Sequence, residues 1–429
     1  MQQAAEISCN EGIRRSGRFL PSVLGHAHSA SAILFLARMV GAGMGFLVQM
    51  LLAKTYAQAE LGQFFFALSI ATLAAMMASL GYPSLAGRIA SRKSATGGRL
   101  AGFVKFALAE SLLISLGVSA ILFAGFAFAG YGLAALFLIA SIPFLALGPM
   151  ATAALNLSSR NLAAFLPDLL FRPASLLAFL GIGLLAGIGW NLAAVSGFYF
   201  ALAAAITLFQ FSAIAEALRP ISRARDRRLL SVWRRLAMPL AFVTVFTSFY
   251  PDMAIVSAGL FLSSADLAVF AIAMKISYLV GFASQISQQV ATPELAGALI
   301  RGDVASIRAV YLRASIFPGL VTILAVVGFY FFGDEVLALF GPDYVRGHGA
   351  LLLLLSAQMI RAFVGPIVQF AIVAGAVRPL VLVLVPATAG LLLSLGFVTS
   401  DYGIGGAAAC VSAYLLWPLI LAFVLRKRV

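Results

Sequence analysis

The chain has 429 residues, of which 62% are hydrophobic and 10% charged, and its mean hydropathy is +1.04. A charged fraction so far below the rough quarter of soluble domains excludes a soluble globular fold and makes lipid the main solvent. The net charge of +14 is scattered over many segments with no basic stripe interleaved with aromatics, so nucleic acid is not an expected partner.

A helix needs about 20 mostly apolar residues to cross roughly 30 Å of hydrocarbon. Residues 1–29 carry Arg14, Arg15 and Arg18 without a small-residue cleavage site after a short apolar core, and read as a cytoplasmic tail. Apolar runs follow at 30–53, 61–86, 101–126, 132–155, 162–186 and 191–217, forming an N-lobe over 30–217. A basic connector occupies 218–235. Six more runs, at 236–260, 267–290, 306–332, 348–374, 377–398 and 403–425, form a C-lobe over 236–425, and residues 426–429 close the chain. The fold class is an all-α polytopic membrane protein of twelve transmembrane helices.

Lys and Arg accumulate in short cytoplasmic loops, and 23 of the 29 basic residues fall on the N-terminal tail, the C-terminal tail and every second connection. The other connections hold only Lys54 and Arg346 beside Glu60, Asp266, Asp334, Glu335, Asp343 and Asp401. This alternation places both termini in the cytoplasm. Two halves with an even number of spans share one orientation, so a repeat is parallel, with its pseudo-twofold axis along the membrane normal. A short similarity supports duplication: Glu60-Leu61-Gly62-Gln63-Phe64-Phe65-Phe66-Ala67 opens the second span and Asp266-Leu267-Ala268-Val269-Phe270-Ala271-Ile272-Ala273 the eighth. The basic connector reads as a topology signal that also attracts anionic lipid headgroups, or as a docking site for glycosyltransferases.

Seven ionisable residues fall well inside spans: Arg38, Glu110, Asp168, Arg172, Asp252, Lys275 and Arg361. Each costs at least about 2.5–3.5 kcal/mol near a helix centre, so such groups face a bundle interior and mark a pathway or a partner. At about 1.5 Å per residue, Arg38, Arg172 and Arg361 reach mid-membrane, with Lys275 slightly nearer the outer surface. Two cations from each half can therefore line one cavity between the halves, suited to an anionic cargo because guanidinium binds phosphate bidentately and keeps its proton. The competing reading is structural pairing: Asp168 with Arg172 four residues on, Glu110 with Arg38 or Arg361, and Asp252, beside Pro251, with Lys275. A proton or sodium coupling ion would rest on Asp252 or Glu110.

Gly41, Gly43 and Gly45 in the first span, and Gly181, Gly183 and Gly187 in the fifth, point either to close helix packing or to a first span that bends during transport. The histidines, His26, His28 and His348, form no metal cluster. No Gly-rich phosphate loop occurs, and Cys9 and Cys410 lie at different depths. An enzyme and a resident cofactor are therefore not expected.

The run from Arg38 through Gly41, then Leu51-Leu52-Ala53-Lys54 to Glu60-Leu61-Gly62-Gln63-Phe64, and Ser79-Leu80-Gly81-Tyr82 to Arg88-Ile89-Ala90, resembles the start of Wzx-type polysaccharide flippases. These belong to the multidrug/oligosaccharidyl-lipid/polysaccharide (MOP) exporter superfamily. The resemblance implies a MATE-like architecture of two six-helix lobes. It also implies transfer of an undecaprenyl-pyrophosphate-linked oligosaccharide, the repeat unit of an O-antigen or exopolysaccharide, across a bacterial inner membrane, with Arg38 as the residue carried over. Polysaccharide-assembly glycosyltransferases or a polymerase would be its partners, besides membrane lipid. The nearest rival is a cation-coupled multidrug exporter of the same superfamily. A polysaccharide polymerase or glycosyltransferase is more distant, since its only candidate outer segment, about 333–347 with Asp334, Glu335 and Asp343, is short.

Overall fold

The computed structural model describes residues 20–90, 97–158, 160–217 and 227–426, and among these there is no strand. The outer parts of the expected tails, the first part of the connector (218–226) and Cys9 lie outside the described residues. Six helical stretches of the first half are long and apolar enough to cross a membrane: Leu36–Thr55, Gln58–Gly87, Leu100–Phe128, Leu133–Leu157, Asn161–Leu185 and Leu192–Ile214. Four follow in the second half, at Ser264–Arg301, Val304–Ala338, Pro342–Val364 and Arg378–Leu425, and a bent pair, Ser231–Ser248 with Tyr250–Gly259, precedes them as a further span.

The last stretch has 48 residues, about 72 Å of helix at 1.5 Å per residue, more than twice a hydrocarbon core of roughly 30 Å. It breaks at Gly403, whose φ of 56° and ψ of −135° are not helical and suit only glycine. Two successive spans therefore fit within it, and with the bent pair taken as one span the described residues hold twelve, the break adjoining the gap expected between the eleventh and twelfth runs. The chain is a multi-pass membrane protein. Residues 227–235, expected in the connector, are instead helical and continuous with the seventh span, in a helix running Arg227–Ser248.

The seventh span bends by 73° at Phe249, where the backbone leaves helical geometry (φ −105°, ψ 20°) and Pro251 sits in the first turn of the next helix. Proline is tolerated there because its missing N–H would have no intrahelical acceptor. Between the eighth and ninth spans the reversal is tight. Gly302 takes the left-handed conformation that ends one helix, and Asp303 caps the next by accepting from the Ser306 amide at 3.1 Å. The Ser306 hydroxyl and amide hold the Asp303 carboxyl below the ordinary carboxylate range.

The seam between halves is built on the two spans that share the sequence similarity. The second span packs along the eighth, and the helix Tyr250–Gly259 also lies against the second. Gly62 makes this approach possible, because a side-chain carbon there would collide with the carbonyl of Ser264. On this face of the protein Arg346 joins Asp266 at 2.6 Å and Gln58 at 3.4 Å, and Phe46 meets Phe340 edge-on with centroids 5.2 Å apart.

On the connector face a second seam forms. Leu80 and Gly81 both have positive φ, a reversal that presses the Gly81 backbone onto Ala237 and Ala241 of the seventh span. Trp233 and Ala237 complete a buried cluster with Tyr82, Phe103, Met150 and Leu155. The lobes thus touch at both ends and leave space between.

The first-span glycines separate into two kinds. Gly41 packs against the Leu169 backbone of the fifth span, as close packing requires, whereas Gly43 and Gly45 have open space around the missing side chain. Gly62→Ala should therefore destabilise the detergent-solubilised protein by about 1–3 kcal/mol through overpacking, while Gly43→Ala should be neutral or slightly stabilising, as read by thermal midpoints of the two variants.

Candidate functional site: a polar cavity between the lobes

Three connected hollows run between the halves. The central one, about 350 Å³, is lined by Gln49 of the first span, by Ser248, Pro251 and Asp252 around the bend, and by Lys275 and Tyr278 of the eighth. Lys275 and Gln49 are shared with a hollow of about 170 Å³ that extends into the N-lobe and ends at Arg172 and Tyr199. Ser248 and Tyr278 are shared with a hollow of about 160 Å³ in the C-lobe that contains Arg361, Gln285, Gln288, Gln289 and Gln369. The three hollows therefore adjoin one another, with side chains common to neighbouring ones, between Arg172 and Arg361.

Each cation is held differently. Arg172 follows a short π-helical segment, Pro167–Phe171, between two prolines at 167 and 173. The backbone N–H of Arg172 bonds the carbonyl of Pro167, five residues back, a wide turn of the kind frequent at functional sites. Its guanidinium meets Asp168 at 2.5 Å and the Tyr199 hydroxyl at 3.2 Å. The second carboxylate oxygen of Asp168 accepts from Gln210 at 3.4 Å. The expected i,i+4 pair is present, and its Arg172 still lines the hollow.

Lys275 places its ammonium 3.9 Å from the centre of the Phe65 ring, a contact that stabilises a cation where water is scarce. Asp252, in the first turn of Tyr250–Gly259, accepts from Ser69 at 3.0 Å and shares the central hollow with Lys275. Its direct partner is thus the second-span serine. Arg361 lies over the Tyr250 ring at 5.2 Å and reaches Gln358 at 3.5 Å, and Gln358 in turn donates to the Tyr250 hydroxyl at 2.6 Å. Arg38 donates to Gln289 at 2.7 Å and lies 5.4 Å from the Phe282 ring, so it joins the site through a residue that lines the C-lobe hollow.

Glu110 stands apart and corrects the sequence expectation. It pairs with neither Arg38 nor Arg361, but with Arg234 at 2.5 Å, and it accepts a short hydrogen bond from the Tyr82 hydroxyl. Arg234 lies over the Phe106 ring at 5.6 Å. The physical reason is the helical continuation of the seventh span below the bend, which carries Arg234 across to the third span. This ion pair belongs to the connector-face seam and not to the cavity.

Sequence reasoning missed the amides and aromatics of the cavity. The signal available was Ser284-Gln285-Ile286-Ser287-Gln288-Gln289, a polar run inside an apolar span. Among the described residues no group of three or more His, Cys, Asp and Glu is arranged to hold a metal ion.

No family model matches the chain, and no curated protein matches it. Solved structures share its architecture. The lipid II flippase MurJ in an inward closed conformation superposes with a TM-score of 0.72 at 14% identity, covering 92% of this chain and 87% of that one. A MATE-family multidrug resistance transporter of the MOP superfamily, inward-facing, gives 0.74 at 15% identity, with 90% and 94% covered. A MOP superfamily transporter from Pyrococcus furiosus, whose binding pocket is described as having reversed polarity, gives 0.57 at 14% identity, with 92% and 95% covered. The chain has the two-lobed fold of these transporters. At such identities the likeness concerns the fold alone.

The Glu110–Arg234 seam yields a direct test. Glu110 is nearly buried, with 12% of its side chain exposed, against 54% for Arg234. Removing the arginine leaves a carboxylate in an apolar surround, the more costly half of the change. Arg234→Gln should lower stability more than the double variant Glu110→Gln/Arg234→Gln, with a coupling of about 1 kcal/mol in a double-mutant cycle measured by thermal unfolding in detergent.

Proposed function

We propose that the protein is a lipid-linked oligosaccharide flippase of the bacterial inner membrane, moving an undecaprenyl-pyrophosphate-linked glycan from the inner to the outer leaflet by alternating access of two lobes. The observation that carries this reading is the row of three adjoining hollows, one lined by Arg172 and Lys275, the next by Lys275 and the third by Arg361, with Arg38 joined through Gln289. Among the described residues the acids on that path or beside it are Asp252 and Asp168, so cationic groups outnumber acidic ones there, which favours an anionic cargo. Ionised groups at membrane depth are retained where a pathway uses them, and a diphosphate matches guanidinium and ammonium donors.

Both termini sit in the cytoplasm in this scheme, on the charge alternation of the connections. The negative head then moves outward along an inside-negative potential, worth about 2.3 kcal/mol per charge per 100 mV. The diphosphate rests on Lys275 and Arg172, the glycan stays in the wet hollow, and the prenyl chain remains in lipid at the lobe seam. The MurJ structure supports the reading because a lipid-linked cargo is carried by a protein of this fold. Asp252 is the acid placed to bind a coupling proton or sodium ion, facing Lys275 across the central hollow. No catalytic role follows for any of these groups, and assembly enzymes such as glycosyltransferases or a polymerase would meet the protein at its membrane surfaces.

In proteoliposomes, transfer of a fluorescent polyprenyl-diphosphate lipid should fall at least tenfold for Arg38→Ala, about 1.4 kcal/mol, with partial recovery in Arg38→Lys. Wild-type vesicles that transfer no such lipid but take up a cationic dye would replace this reading with the drug-exporter one.

A further inference from the structure

The C-lobe hollow differs in chemistry from the rest of the cavity. Four of the eleven glutamines of the chain, Gln285, Gln288, Gln289 and Gln369, line it, with Tyr278 and Trp417 beside them. Gln289 is engaged by Arg38. Among the described residues the side-chain amides of Gln285, Gln288 and Gln369 hydrogen-bond to no protein group. Gly365 keeps this space, since a side-chain carbon there would press on the Gln288 amide. Unpartnered amides in a transmembrane bundle are costly unless water or a ligand satisfies them.

Each amide offers two donors and a two-lone-pair acceptor and carries no charge. A row of such groups does not discriminate for an anion, but it matches a molecule with many hydroxyls, each both donor and acceptor. Tyr278 and Trp417 add flat apolar faces with polar edges, the complement of a pyranose ring, whose C–H face is apolar and whose rim is polar. Arg361, the cation that lines this hollow, is drawn to the wall by Tyr250 and Gln358.

We infer that the glutamine-lined hollow of the C-lobe is a saccharide subsite, which holds the first sugar or sugars of the cargo while the Lys275 and Arg172 hollows hold its diphosphate. The inference rests on the flippase reading and adds a division of the cavity into an anion half and a sugar half. It assigns selectivity for the glycan to Gln285, Gln288 and Gln369.

The test uses purified full-length protein and four synthetic lipids: polyprenyl diphosphate, bare or capped with glucose, galactose or N-acetylglucosamine. Affinities are compared in detergent. The wild-type protein should bind at least one capped lipid about tenfold more tightly than the bare one, the size expected from one or two well-placed hydrogen bonds. In Gln285→Leu/Gln369→Leu that ratio should collapse toward one, and Gln369→Ala alone should reduce it. Arg172→Ala should weaken all four lipids alike and leave the ratio intact. A wild-type protein that binds the bare lipid but gains nothing from any sugar overturns the subsite and leaves the flippase reading standing. Glutamine variants that keep the full ratio overturn the subsite in the same way. A wild-type protein that binds none of the four lipids overturns both.

Discussion

The structure depends on the cost of placing a charge in hydrocarbon. Seven ionisable side chains lie deep in the spans, and each must find a polar surround or destabilise the bundle by several kcal/mol. Six of them solve this at one place, a hollow between two halves, through serine, tyrosine, glutamine and aromatic neighbours. The seventh, Glu110, solves it with an arginine from the other half. Arg38 with Gln289, Asp252 with Ser69, Lys275 with Phe65 and Glu110 with Arg234 each join residues of both halves, so these charges hold the lobes in relation to one another.

That relation has two seams and a void. On one face the second and eighth spans meet through Gly62 and Ser264; on the other the Gly81 reversal and Trp233 close the gap. The hydrogen bonds that stabilise the cavity walls, such as Gln358 to Tyr250 and Arg172 to Tyr199, orient side chains without filling the hollow. The C-lobe hollow, lined by glutamine and tyrosine side chains with Arg361, is polar and roomy enough to hold water. Exchanging that water for a hydroxyl-rich or anionic cargo keeps the number of hydrogen bonds nearly constant, which suits a site that must both load and release.

Much of this is legible in the sequence, for identifiable reasons. Apolar runs of the right length and alternating basic loops give the spans, because lipid imposes a single length scale on every helix. The deep charges stand out because nothing milder than function or pairing retains them. Asp168 with Arg172 is readable since both lie on one helix with fixed spacing. The partner of Glu110 is not, because sequence spacing carries no information on how the third and seventh spans are placed, and Arg234 is one of seven bases in a connector with the composition of a loop. The cavity glutamines escape because an uncharged amide costs less than a charge and blends into the polar end of a span. The break at Gly403, by contrast, is readable, since Ser400, Asp401 and Tyr402 interrupt the apolar runs just before it.

The bend at Phe249 has a consequence for how the chain is made. It sends Trp233 and Ala237, encoded in the second half, into the buried cluster of the first half beside Tyr82 and Phe103. As the polypeptide leaves the ribosome, the first six spans enter the membrane with that cluster open and with the Glu110 carboxylate lacking its arginine. The N-lobe is therefore an unfinished folding unit until residues 233–237 arrive. Its maturation must wait for the chain beyond the connector, and the two halves, despite their shared pattern, are not interchangeable modules that could be synthesised apart and simply mixed.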